Sequence, residues 1–133
     1  MRLKARKVGP LVGQNPIARA VAREGLRVRL QTVKIRLHVL QQGEECADLI
    51  AEASWFLAVL LRAMEISDRL DEAAPLKTGL DTLMTVAADE HRWQVSALLD
   101  VSAAIEEAQA FEPSLKAQVL NQAIHFVDAL EHA

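Results

Sequence analysis

The stretch Ala53-Ser54-Trp55-Phe56-Leu57-Ala58-Val59-Leu60-Leu61-Arg62-Ala63-Met64 decides the fold. Read as a helix it is apolar nearly all round, and such a helix lies at the centre of its protein with other helices packed about it. Trp55 and Phe56 are its expected core anchors. The charge-free run from Ala53 to Leu61 is about half the length that a membrane span needs, so burial within protein is expected and a membrane role is not. The chain has 133 residues, 51% hydrophobic and 25% charged. That suits one domain with one core and no need of metals or disulfides. No segment of strand period competes with helix.

Outward from the centre, the punctuation marks the other elements. Residues 1–14 form a basic, Gly/Pro-interrupted arm, expected to be a flexible, solvated tail. The single domain then spans 15–133. Asn15-Pro16 is a helix start, an Asn cap followed by Pro at the first helical position, and Gly43 is the matching stop after about Gln42. The second helix is expected from about Glu44 to near Leu70, with Glu44, Glu45, Asp48 and Glu52 at the end that favours acids. A polar link over 68–74 leads to Pro75, which opens a third helix with Leu76, Leu80, Leu83, Met84 and Ala87 at helical spacing. A kink over 89–94 separates it from a fourth helix carrying Val95, Leu98, Leu99, Ser102 and Ile105. Glu112-Pro113-Ser114 precedes a last helix from Leu115 to near Glu131. The expected fold is therefore all-α, an antiparallel bundle of four to five helices with short links.

The first helix has two apolar sides. On a 100° wheel Ile17, Val21, Val28, Ile35 and Val39 share one stripe, and Leu26, Leu30, Val33, Leu37 and Leu40 lie nearly opposite. Such a helix is either sandwiched within its own fold or shared with a second copy, and Val21, Val28 and Ile35 at heptad spacing form a candidate dimer seam. Gly25 inside it costs about 1 kcal/mol relative to Ala, so either a neighbour approaches closely there or the helix bends. Charge is just as unevenly placed. Residues 1–43 hold ten Lys/Arg against the single acid Glu24, while 44–133 hold five against 17 acids, for a net charge of −3. The candidate basic patch comprises Arg2, Lys4, Arg6 and Lys7 of the arm and Arg19, Arg23, Arg27 and Lys34 of the first helix. It can serve a nucleic acid, or it can attract the acidic remainder of its own domain.

Three segments carry a resemblance. They are Arg6-Lys7 followed by Asn15-Pro16-Ile17-Ala18, then Arg36-Leu37-His38-Val39-Leu40-Gln41-Gln42-Gly43-Glu44, then Lys77-Thr78-Gly79-Leu80-Asp81-Thr82-Leu83. With the apolar second helix between them, they resemble small all-helical proteins encoded in proteobacterial prophages and mobile elements, over roughly residues 4–85. The segment 89–111 departs from that pattern. The resemblance implies a genomic setting and transfers no functional residues.

Chemistry has few footholds. His38, His91, His125 and His132 lack the paired Glu-x-x-His spacing of di-metal bundles, and Asp128 with His132, or Glu90 with His91, is expected to be a pair of solvated polar side chains rather than a metal site. The lone Cys46 excludes an internal disulfide, suits a reducing cytoplasm, and in an acidic turn is no activated nucleophile. The five glycines are dispersed, so no phosphate-cradling loop exists. No catalytic residue, cofactor or metal is expected. The expected function is that of a non-enzymatic protein-interaction module, a cytoplasmic phage- or mobile-element-encoded accessory or regulatory protein. It is expected to act as a homodimer or on a host or phage protein. Nucleic-acid binding by the basic patch is the alternative, and inhibition of host defence in the manner of anti-CRISPR proteins a further one.

Overall fold

The computed structural model describes residues 16–44, 48–90 and 92–132. The expected basic arm over 1–14, the Asn15 cap, Cys46 and His91 lie outside the described residues. Pro16 opens α1 (Pro16–Gln41), a position whose N–H would lack an intrahelical partner anyway. Gly43 closes it at φ +89. The Gly43 N–H donates to the Leu40 carbonyl and the Glu44 N–H to that of Val39, the paired closure of a left-handed cap.

The second helix, α2 (Leu49–Ile66), starts later than Glu44 and stops short of Leu70. The early stop has a local cause. Asp68 takes φ +57, and its N–H reaches Glu65 while that of Arg69 reaches Met64, repeating the closure seen at Gly43. Asp tolerates this region far better than a bulky residue, so no glycine marks the end. A short 3-10 turn, Leu70–Glu72, leads into α3 (Ala74–Ala88), which carries Pro75 in its first turn as expected. Glu90 at φ +56 then breaks the helical period, and the extended Gln94 precedes α4 (Val95–Phe111). A second 3-10 turn around Pro113 leads to α5 (Ala117–Glu131).

The elements pack as the expected all-α bundle, with no strand among the described residues. Paired residues run in opposite directions along neighbouring helices. Arg36 meets Asp48 and Glu52 while Arg29 meets Trp55, which sets α1 antiparallel to α2. Gly79 faces Ala104 and Thr82 faces Asp100, which does the same for α3 and α4. At the centre α2 buries Leu49, Ala53, Trp55, Phe56, Leu57, Val59, Leu60, Ala63 and Met64, which cover more than half of its circumference, with Ile50, Ala58 and Leu61 half-buried on the remainder. Leu26, Leu30 and Val33 of α1, Leu76 and Leu83 of α3, Val101 and Ile105 of α4 and Leu120 and Ala123 of α5 close around it. Met84 of α3 and Val95 and Leu99 of α4 follow the helical period yet stay exposed, because the two helices meet along Gly79 and Ala104 and turn those side chains outward.

Gly79 is the tightest point of the core. A Cβ at this position would sit 2.2 Å from the Ala104 Cβ, closer than packed atoms can approach, and 3.3 Å from Leu57 Cδ1, a tight contact. The α3–α4 spacing therefore needs a residue without a side chain. We expect Gly79→Ala to destabilise the fold by about 1–3 kcal/mol, despite the better helix propensity of Ala, as measured by urea unfolding.

Candidate interaction surface

Two flanks of α1 fix how the helix is turned about its own axis. On one flank lies Glu112, a charged residue only 4% exposed, placed by the 3-10 turn after α4. Arg27 Nε and Nη2 donate to its two carboxylate oxygens at 2.5 and 3.2 Å, the forked geometry in which guanidinium binds carboxylate best. The hydrogen bond and charge of Glu112 hold the Arg27 guanidinium above its ordinary range. Arg23 Nη1 lies 3.4 Å from Glu112 Oε2, and its Nη2 donates to the Leu115 carbonyl. Two turns beyond Arg27, Lys34 donates to Gln109 at 3.0 Å.

The opposite flank faces α2. Arg36 Nε lies 2.5 Å from Glu52 Oε1 and its Nη1 3.7 Å from Asp48. Arg29 stacks over the Trp55 ring at 3.8 Å, a cation–π contact that shelters one face of the indole. The Trp55 N–H donates to Asp128 Oδ1 at 2.7 Å. Thus α1, α2 and α5 are joined through one buried aromatic side chain with its polar atom satisfied.

Between these flanks, the stripe of Leu26, Leu30, Val33 and Leu37 is buried in the core. The opposite stripe is not covered. Ile17 is 77% exposed, Val21 66%, Val28 58% and Ile35 64%, and Val39 is half-buried. The structure therefore brings the candidate seam residues Val21, Val28 and Ile35 onto one outward face and adds Ile17 to it. Of the candidate basic patch, the described side chains Arg23, Arg27 and Lys34 share one flank of α1. Arg23, Arg27 and Lys34 turn onto the protein's own groups, as described above. Arg2, Lys4, Arg6 and Lys7 lie outside the described residues, as does the side chain of Arg19.

Elsewhere the polar chemistry is local. His132 Nδ1 sits 2.7 Å from the Asp128 backbone oxygen, and the Asp128 carboxylate is engaged by Trp55, so the pair does not converge as ligands. Among the described residues no three His, Cys, Asp or Glu side chains gather to hold a metal ion. A groove of about 380 Å³ runs between α3 and α4, lined by Asp81, Thr82, Thr85, Asp89, Arg92 and Asp100 among others. The hydroxyls of Thr82 and Thr85 donate to backbone carbonyls of their own helix. Glu112 is the residue that sequence reasoning missed, because it sits in a loop signature beside Pro113 where a carboxylate is ordinarily solvated. No helix of the described residues is long and apolar enough to cross a membrane.

Comparison with protein-family models, with curated proteins and with solved structures found no match to this chain.

The Glu112 cluster generates an asymmetry that can be measured. Removing the carboxylate leaves two arginines that can swing toward water, so Glu112→Ala should lower the unfolding free energy by about 1–3 kcal/mol. Replacing Arg23 and Arg27 together by Ala strands a buried anion, and this double variant should be the less stable of the two in chemical denaturation.

Proposed function

We propose that the protein is a non-enzymatic protein-interaction module that docks through the outer face of α1, acting as an accessory or regulatory factor carried by a phage or mobile element. The observation that supports the docking reading is the outward row of Ile17, Val21, Val28 and Ile35. Single exposed aliphatic side chains are ordinary, but an aligned row of large ones on a single face marks a surface meant to be covered. The row offers no hydrogen-bonding groups to a small polar ligand. Its chemistry suits another apolar protein surface.

The same geometry argues against a nucleic-acid role for α1. Phosphate binding draws on cations that are free to replace counterions. Arg23, Arg27 and Arg36 instead pair with Glu112 and Glu52 of the same chain. The genomic setting rests on the resemblance of the sequence to prophage-encoded helical proteins.

The reading is tested by placing charges in the row. Neither Val28 nor Ile35 reaches the core, so Val28→Asp/Ile35→Asp should keep the helical circular-dichroism signal and sediment as a monomer, whereas the native chain should sediment as an assembly. Native and variant chains of the same monomeric mass would overturn the reading. In parallel, labelled random duplex DNA titrated at about 50 and 200 mM salt should show no binding that falls steeply with salt. Steep salt-dependent binding would move the function to nucleic acid.

A further inference from the structure

We infer that the partner covering the outer face of α1 is a second copy of this chain, laid antiparallel about a two-fold axis at Val28, with Gly25 at the closest approach. The inference rests on the docking reading above and names its occupant. Its first support is the symmetry of the row itself. Val21 and Ile35 each stand seven residues from Val28, and Ile17 and Val39 each stand eleven. A two-fold axis at Val28 therefore lays Val28 on Val28 of the partner subunit, Val21 on Ile35 of the partner subunit, and Ile17 on Val39 of the partner subunit. Self-complementarity of this kind is what an isologous interface requires.

Gly25 supplies an independent argument. It stands in the middle of α1, and a Cβ added there would meet nothing within 4 Å. Its own fold thus gives no reason for a residue that weakens a helix. On the wheel it lies beside Val21 and Val28, on the edge of the exposed row. The antiparallel register sets it near Thr32 of the partner subunit. In the structure the Thr32 hydroxyl already donates to the Val28 carbonyl, so covering it leaves no donor stranded. A glycine against a small, internally satisfied residue lets two helix backbones come close.

Charge selects the orientation. Glu24 is the single acid of α1, is exposed, and lies on the other edge of the row. A parallel pairing in register would set it against its own copy, a like-charge contact across the interface. The antiparallel pairing draws the two copies of Glu24 apart along the axis. The cations do not interfere, because Arg23, Arg27, Arg29 and Arg36 are held on the flanks by Glu112, Trp55 and Glu52. The area is also sufficient. With each aliphatic side chain offering on the order of 100 Å², the paired rows remove about 1,000 Å² from water, the lower bound of a specific interface.

Site-directed cross-linking tests the arrangement in the full-length chain with Cys46→Ser. Val28→Cys should cross-link to itself with a short bis-maleimide. Val21→Cys alone should not, since its copies would stand about 21 Å apart along the axis, whereas an equimolar mixture with Ile35→Cys should. Self-linking of Val21→Cys in a chain that still dimerises would overturn the antiparallel register and leave the docking reading standing. A native chain that stays monomeric would remove both. Gly25→Ala gives a second readout: the thermal midpoint of the dilute monomer should rise while the dimer dissociation constant increases tenfold or more. An unchanged or lowered dissociation constant would overturn the close approach at Gly25.

Discussion

Two arginines of the first helix converge on one buried carboxylate near the far end of the chain, and that contact governs what the rest of α1 can do. A helix apolar on both sides has no preference of its own for which side faces the core. Arg23 and Arg27 on Glu112 grip one flank, while Arg36 on Glu52 and Arg29 on Trp55 grip the other. With both flanks held, rotation about the helix axis is fixed. Leu26, Leu30, Val33 and Leu37 must then point inward and Ile17, Val21, Val28 and Ile35 outward. Buried ion pairs add little net stability because desolvation offsets most of their attraction, but a wrong orientation would leave Glu112 unpaired, and that is costly. The cluster thus acts chiefly on specificity.

The uneven charge along the chain follows from the same contacts. A basic N-terminal segment and an acidic remainder look like an arm waiting for an anionic partner. In the described residues the anions that α1 meets belong to the body, Glu112 on one side and Glu52 and Asp48 on the other. The asymmetry in sequence is a symmetry in space, with cations on one helix meeting acids on the elements around it. The large aliphatic side chains Ile17, Val21, Val28 and Ile35 stay uncovered on the described surface of α1, and it is on them that the protein-docking reading is proposed.

Much of the architecture was legible because local chemistry and global packing agree. Pro16, Gly43, Pro75 and Pro113 all punctuate where the backbone needs them, and the apolar run around Trp55 and Phe56 is the central helix. The misreadings share a physical origin. The end of α2 is made by Asp68 in the left-handed region, a role that only glycine announces clearly, so the helix stops at Ile66 rather than near Leu70. The exposure of Met84, Val95 and Leu99 could not be read from periodicity, since it depends on where α3 touches α4, and Gly79 and Ala104 set that contact. For the candidate surface, both stripes were evident and the one with Val21, Val28 and Ile35 was a candidate seam, but the pattern left open whether that stripe is sandwiched within the fold or turned outward. That choice is made by Glu112, 85 residues from Arg27, and no local pattern carries a contact of that range.

The central claim is that α1 serves two surfaces, one inside its own fold and one inside an assembly. Hydrogen–deuterium exchange followed across protein concentration tests it most directly, because amide protection reports where a helix is held and against what. Protection should rise with concentration over residues 17–39 while α3, α4 and α5 exchange as before. A concentration-dependent change centred on Met84, Val95 and Leu99, or no change anywhere, would contradict it.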